Sequence, residues 1–74
     1  MALACLLATL VHKQGPQVMK ALRNMPEVKD AFIAFGQYDL VVFLEADDYA
    51  ELAAATAEIN KISGITHTET LVAG

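Results

Sequence analysis

Three segments of this chain are apolar at nearly every position rather than at every second one: Leu3 to Val11, Ala31-Phe32-Ile33-Ala34-Phe35 and Leu40-Val41-Val42-Phe43-Leu44. They are too short for membrane helices, which need about 20 apolar residues, and their length and punctuation read as strands. Successive strand side chains point to opposite faces, so a strand buried on one side alternates apolar and polar. An unbroken apolar run instead reads as burial on both faces. Whatever fold the chain adopts must cover both sides of a sheet.

The elements between these runs set the order. Lys13-Gln14-Gly15-Pro16 reads as a turn opening a helix over Gln17 to Asn24, with Pro16 suited to the first helical turn, where its missing N–H costs nothing. Val18, Leu22 and Met25 give that helix an apolar stripe, and Pro26 ends it. Val28 to Phe35 is the second strand, Gly36-Gln37 a tight hairpin connection, and Tyr38 to Ala46 the third strand. Asp48 and Glu51 form a capping-box pattern for a second helix over Tyr49 to Lys61. Its inward stripe is Tyr49, Leu52, Thr56, Ile59 and Ile62, and Gly64 suits the residue just past its end. Ile65 to Val72 is a more polar last strand. The order is β-α-β-β-α-β, and an offset of 37 residues, half of the 74, sets Leu3 on Leu40, Cys5 on Val42, Leu7 on Leu44 and Leu22 on Ile59. This is the near-symmetry of a ferredoxin-like α+β fold, a single domain over residues 1–74 with a four-stranded antiparallel sheet and both helices on one face.

Two helices cannot cover both faces of that sheet. The chain is 55% apolar and 19% charged, against about 25% charged in average soluble domains. A domain of this size buries only about 60% of its unfolded-chain surface. The uncovered face, formed by strands one to three, is therefore expected to meet a second copy, most simply in a two-fold dimer.

Charge and composition narrow the function classes. The net charge is −4 and Lys13, Lys20, Arg23, Lys29 and Lys61 are scattered, so no basic patch for direct nucleic-acid binding exists. No signal-peptide pattern is present. One cysteine cannot build a disulfide framework, and a cytoplasmic location is expected. No catalytic constellation is visible either. Cys5 sits among aliphatics, Ser63 in a helix-ending turn, and His12 and His67 have no metal-ligand spacing. Asp47 and Asp48 are explained by the helix cap. His67 and Glu69 share a strand face, a pair open to acid/base or metal-like chemistry, although an edge-facing solvated pair is the simpler reading. No metal and no cofactor is implied.

Two polar features remain. Gly36-Gln37-Tyr38-Asp39 lies at the hairpin, where a glycine lets a ligand approach the backbone, exposed N–H groups can receive a carboxylate and Asp39 can receive an ammonium. The alternative is a plain turn with Asp39 satisfying local N–H groups. Thr66, Thr68 and Thr70 alternate along the last strand and form a hydroxyl row on one face, although threonine is also a routine strand residue.

Met25-Pro26-Glu27-Val28, Gly36-Gln37-Tyr38-Asp39-Leu40-Val41 and Gly64-Ile65 followed by Thr68-Glu69-Thr70, in that order and spacing, resemble the effector-sensing domain of the Lrp/AsnC (leucine-responsive/asparagine) family of transcriptional regulators. The resemblance spans nearly the whole chain. It implies a dimeric α/β barrel with sheets packed face to face, further assembly into tetramers or octamers, and an amino-acid effector bound between dimers. Carried onto this chain, the implied ligand-binding residues are Gly36, Tyr38 and Asp39, with Thr68 and Thr70 from a neighbouring last strand. Family members usually carry an N-terminal helix-turn-helix. Here the first strand begins at the initiator methionine, so a stand-alone module is expected, acting on itself or on a full-length regulator of the family. Ser63 stands where the family often has proline. The competing readings are a small dimeric enzyme of monooxygenase or isomerase type, which would turn on a residue such as His67, and a purely structural oligomerisation module.

Overall fold

A computed structural model describes residues 1–11 and 13–73. The expectation placed on His12 lies outside the described residues. The elements are β1 (Ala2–Leu10), α1 (Gly15–Arg23), β2 (Val28–Ile33), β3 (Leu40–Ala46), α2 (Tyr49–Asn60) and β4 (Ile65–Ala73). They form one antiparallel sheet in the order β2-β3-β1-β4, the expected βαββαβ architecture.

Side-chain alternation sorts the sheet into an inner and an outer face. Ala2, Ala4, Leu6 and Ala8 of β1 and Leu40, Val42, Leu44 and Ala46 of β3 are buried, in one core with Val18 and Leu22 of α1 and Leu52 and Ile59 of α2. Both helices therefore cover the same face. The alanines on β1 leave volume that the longer helix side chains fill. Fully buried leucines such as Leu6, Leu22 and Leu40 each contribute about 1.5–3 kcal/mol of apolar burial.

This sorting corrects the half-chain alignment. The inner positions of β1 are the even-numbered residues, as they are in β3, so Leu3, Cys5 and Leu7 are not the counterparts of buried Leu40, Val42 and Leu44. The helices do repeat at the expected offset, with Leu22 and Ile59 both buried, whereas the first strands repeat one residue out of step. A one-residue slip moves every strand side chain to the opposite face, and only the tertiary packing resolves it.

The helix ends follow local chemistry. Asp48 caps α2, its Oδ1 accepting the Glu51 N–H at 2.8 Å. The reciprocal arm of the box reaches the Asp47 N–H at 3.3 Å rather than that of the cap residue. Gly64 has φ 107°, in the region that favours glycine. A Cβ there would lie 3.0 Å from side-chain atoms of Gln14 and Val18, so Gly64 also lets the end of the α2–β4 turn approach α1.

Several expected boundaries move. α1 starts two residues earlier, at Gly15, and ends at Arg23. β2 stops at Ile33 and β3 begins at Leu40, so the connection between them spans residues 34–39 and is longer than a tight turn. The buried stripe of α2 is Leu52, Ala55 and Ile59. Tyr49 is exposed, and the Thr56 hydroxyl donates to the Ala53 carbonyl at 2.8 Å, the usual escape of a threonine from a helix surface. Ile62 packs at the core margin.

Candidate functional site

The β2–β3 connection is held in place at three points. The Ala34 N–H donates to the Asp39 carbonyl at 2.8 Å, and the Asp39 N–H donates to the Ala8 carbonyl at 2.9 Å. The Asp39 carboxylate (Oδ2) accepts the Leu10 N–H at 3.1 Å. Asp39 is thus tied to the end of β1 from both its backbone and its side chain. This differs from a turn aspartate satisfying its own neighbours, because its partner lies 29 positions away. Gly36 has φ 135° with open space around its Cβ position, so glycine is required there for backbone conformation and not for packing.

Tyr38 and Asp39 diverge. The Tyr38 hydroxyl donates to Glu69 of β4. Glu69 lies opposite Leu7, on the outer face, so the tyrosine spans β1 on that side of the sheet. The carboxylate holds the phenol in its neutral form and raises the Tyr38 pKa above the usual 10.0, with partial desolvation and charge repulsion from Glu69 adding to the hydrogen bond. Asp39 instead lines a groove of about 730 Å³ between the start of α1 and the end of β2. Its walls are Pro16 and Met19 of α1 on one side and Ile33 and Phe35 on the other, with Lys13 and Arg23 as its cations. The strand pattern pointed to none of Lys13, Met19 and Arg23. The helical spacing of Met19 and Arg23 would have placed them on one face, but the loop path that turns this face toward Asp39 is not written in that spacing.

The threonines lie elsewhere on the protomer. Thr68 and Thr70 pair with Ala8 and Leu6 and so share the helix-covered face, and the Thr68 hydroxyl donates to Asn60 Oδ1 of α2 at 2.5 Å. A bulge between Thr9 and Leu10 takes Thr66 out of the row, its hydroxyl 2.7 Å from that of Thr9. The expected three-hydroxyl row is therefore two residues. Within one protomer Thr68 and Thr70 are separated from Asp39 by β1. His67 stands opposite Thr9 and Glu69 opposite Leu7, one face as expected, with Glu69 engaged by Tyr38.

An apolar band crosses the outer face of the sheet through Phe32 of β2, Phe43 of β3, Leu3, Cys5 and Leu7 of β1 and Leu71 of β4, with Glu45, His67 and Glu69 beside it. Leu3 and Leu7 of β1 flank Cys5, which sits half-buried between Phe43 and Leu71. Phe32 and Phe43 stack with ring centroids 6.0 Å apart. Leu3, Phe32, Phe43 and Leu71 are 43–55% exposed, and a hollow of about 430 Å³ runs between Phe43 and Leu71. The last strand, expected to be more polar and left out of the uncovered face, contributes Leu71 to this surface. Phe35, by contrast, is not in β2 and does not join it; it is 99% exposed at the groove rim. Among the described residues no three His, Cys, Asp or Glu side chains converge as a metal site, and no helix is long and apolar enough to cross a membrane.

The sheet is covered by helices on one side only and carries a polar anchor where β2 turns into β3. The chain belongs to the Lrp/AsnC family: the family model described as the Lrp/AsnC ligand binding domain matches residues 3–73. Among solved structures it is similar to FFRP-DM1, at 36% identity and TM-score 0.93, with the whole of both chains covered. It is also similar to the hypothetical protein PHS023 from Pyrococcus horikoshii, at 36% identity and TM-score 0.91, covering all of this chain and 90% of that one. E. coli AsnC shares the fold at 23% identity and TM-score 0.88, and there the match covers 97% of this chain but 50% of AsnC. No curated protein matches the chain.

Proposed function

We propose that this domain binds a free α-amino acid in the Asp39 groove and self-associates through its outer sheet face. The observation that carries the reading is the anchored Asp39. Its backbone N–H and one carboxylate oxygen are committed to β1, while the side chain lines a groove that also contains Lys13. A carboxylate and an ammonium at one end of a concave surface complement the two charged groups of an amino-acid zwitterion. Membership of a family whose model is a ligand-binding domain supports the same reading. Gly36 gives the loop its conformation, and Tyr38 steadies it from the outer face. Thr68 and Thr70 would meet the ligand only from a neighbouring protomer in an assembly of dimers.

Self-association rests on the outer face. Its apolar surface runs across four strands, and monomeric proteins rarely leave such a patch uncovered. Two such faces stacked about a two-fold axis would bury Leu3, Phe43 and Leu71 of each copy. Binding of ligand near the margin of an assembly shifts the population toward the oligomer that binds it better. The output would then pass to a partner, such as a full-length regulator of the family, rather than to DNA touched by this chain, whose cations are scattered.

The test is calorimetric and thermal-shift titration with the twenty amino acids. A ligand at about 100 times its Kd adds about 2.7 kcal/mol to folded-state stability, so at least one amino acid is expected to raise the melting temperature. No response from any at millimolar concentration would overturn the binding reading.

A further inference from the structure

The Phe35 side chain is 99% exposed although it stands on the rim of the Asp39 groove. An aromatic side chain removes about 150–250 Å² from water wherever it is buried, so the protomer's own core gains nothing from this ring. Nor does the ring serve the outer sheet face, because β2 ends at Ile33 and Phe35 stands beyond the stacked pair of Phe32 and Phe43.

The segment that carries the ring is fastened at both ends and free between them. The Ala34 N–H donates to the Asp39 carbonyl at 2.8 Å, and the Tyr38 hydroxyl donates to Glu69. Among the described residues no hydrogen bond holds Phe35, Gly36 or Gln37. Segments with few hydrogen bonds and little buried surface rearrange at low free energy. Gly36, with φ 135° and nothing within 4 Å of its Cβ position, gives the backbone next to the ring the freedom to turn.

Across the groove stand Pro16 and Met19 of α1. A Cβ at Gly15 would sit 3.8 Å from Ile33 Cδ1, so the two walls meet at Gly15 and Ile33, and that contact fixes the spacing of the walls that Met19 and Phe35 extend. A thioether and an aromatic ring attract one another at about 5 Å between sulfur and ring, and Pro16 adds apolar surface beside the sulfur.

Resting on the reading of the groove as an amino-acid site, we infer that Phe35 is a ligand-contacting residue of that site and closes it: the segment 35–37 turns about Gly36 and lays the ring over the bound molecule toward Met19 and Pro16. The charged groups below stay in place, because Ala34 is bonded to Asp39 and Asp39 to β1, so closure moves the cover and not the anchor. Water excluded by the ring no longer screens Asp39 and Lys13, and their attraction to the ligand's charges grows. The gain falls on release more than on entry, as most affinity differences between related complexes do. The ring stands on the rim of its own groove and needs no second copy to reach it.

The chain contains no tryptophan, so Phe35→Trp places a single fluorescent reporter at the position of the ring. The experiment is calorimetry of the wild type, Phe35→Trp and Phe35→Ala with each of the twenty amino acids, with tryptophan emission and acrylamide quenching followed over the same titrations. An amino acid that binds is expected to shift the emission to shorter wavelength and shield it from acrylamide, with saturation at the calorimetric Kd. Phe35→Ala is expected to weaken that binding about tenfold, equivalent to about 1.4 kcal/mol, through faster dissociation. Its urea midpoint should equal that of the wild type, since the ring is outside the core. Binding heat with an emission that stays at its solvent value, or an alanine variant of wild-type affinity, overturns the closure and leaves an amino-acid site in place. An emission that shifts with protein concentration alone puts the ring on a second copy and overturns the closure as well. Failure of every amino acid to bind overturns both readings.

Discussion

The hydroxyl of Tyr38 donates to the carboxylate of Glu69, so a loop residue next to the groove anchor is fastened to β4 across the outer face of the sheet. Its neighbour Asp39 is fastened to β1 by the Leu10 N–H. Two adjacent residues thus tie the β2–β3 connection to both of the strands that follow β3 in the sheet order.

The hydrogen bond sets the titration of the phenol. Because Glu69 raises the Tyr38 pKa, the neutral, bonded form persists above the normal tyrosine range. A group whose folded pKa is raised contributes stability that is present below its unfolded pKa and lost as pH rises through the folded one. The Tyr38–Glu69 contact is therefore intact at neutral pH and given up only on the alkaline side of pH 10. Absorbance at 295 nm is expected to show one tyrosine titrating late, and Glu69→Gln to bring that transition to lower pH. An unchanged curve would show that the bond does not persist in solution.

Removing the Asp39 anchor has a structural and a binding consequence. Asp39→Ala leaves the Leu10 N–H without its acceptor, at a cost of about 1–3 kcal/mol if water does not replace it, and removes the negative charge from the groove. Asp39→Asn keeps an acceptor and loses only the charge. Chemical denaturation should show the alanine variant as the less stable of the two. Both should lose amino-acid binding by about tenfold or more, as expected for a lost charge-assisted bond.

The outer face can be broken without touching the core. Phe43→Glu places a charge on a residue that is already exposed in the protomer, so its fold should survive, with a circular dichroism spectrum like that of the wild type. In a stacked dimer the same charge is desolvated without a partner. Light scattering is expected to report a dimer or larger assembly for the wild type and a 7.9 kDa monomer for the variant. A wild type that is itself monomeric at micromolar concentration would refute face-to-face pairing.

Gly64→Ala tests the turn that brings α2 back to the sheet. The added methyl meets a backbone with φ 107° and side-chain atoms of Gln14 and Val18 at 3.0 Å. A non-glycine residue in such a conformation costs about 1–3 kcal/mol, and the contact with buried Val18 adds to it. Gly36→Ala shares the positive φ but has open space around its Cβ position, so its cost should be the smaller of the two. Urea midpoints for the pair separate strain from crowding.

Asp48→Ala removes the cap that accepts the Glu51 N–H and is expected to cost about 1 kcal/mol, as losses of N-cap side chains do. Leu6→Ala, in the fully buried centre of β1, should cost about 2–5 kcal/mol by leaving a cavity under both helices.

Much of this architecture was legible residue by residue. Pro16 and Pro26 bracket α1, the Asp48 to Glu51 spacing opens α2, and Gly64 closes its turn, because these are local preferences that each residue exerts on its own backbone. The apolar excess likewise announced a face that two helices could not cover, since alternation is a property of the strand alone. The Gly36 to Asp39 segment stood out because glycine and aspartate have distinct backbone and charge roles. The shared face of Met19 and Arg23 was also implicit in their spacing, though nothing local said that it would turn toward Asp39.

Other features needed the fold. Whether Leu3 or Ala4 faces the helices is a choice of register, and a strand apolar on both sides carries no pattern that decides it; packing against Leu22, Leu52 and Ile59 does. Thr66 left the row with Thr68 and Thr70 because a bulge in β1–β4 pairing inserts one residue there. Phe35 read as a strand residue and stands instead in solvent, and Lys13 and Met19 became groove residues only when the end of β2 was laid beside α1. Local propensity and periodicity, acting within a few residues, determined the elements, their order and the excess of apolar strand surface. The face each strand presents, and the meeting of Asp39 with residues from β1, α1 and β2, were decided by the tertiary structure, because those contacts join positions far apart in the chain and exist only once the sheet and helices are packed together.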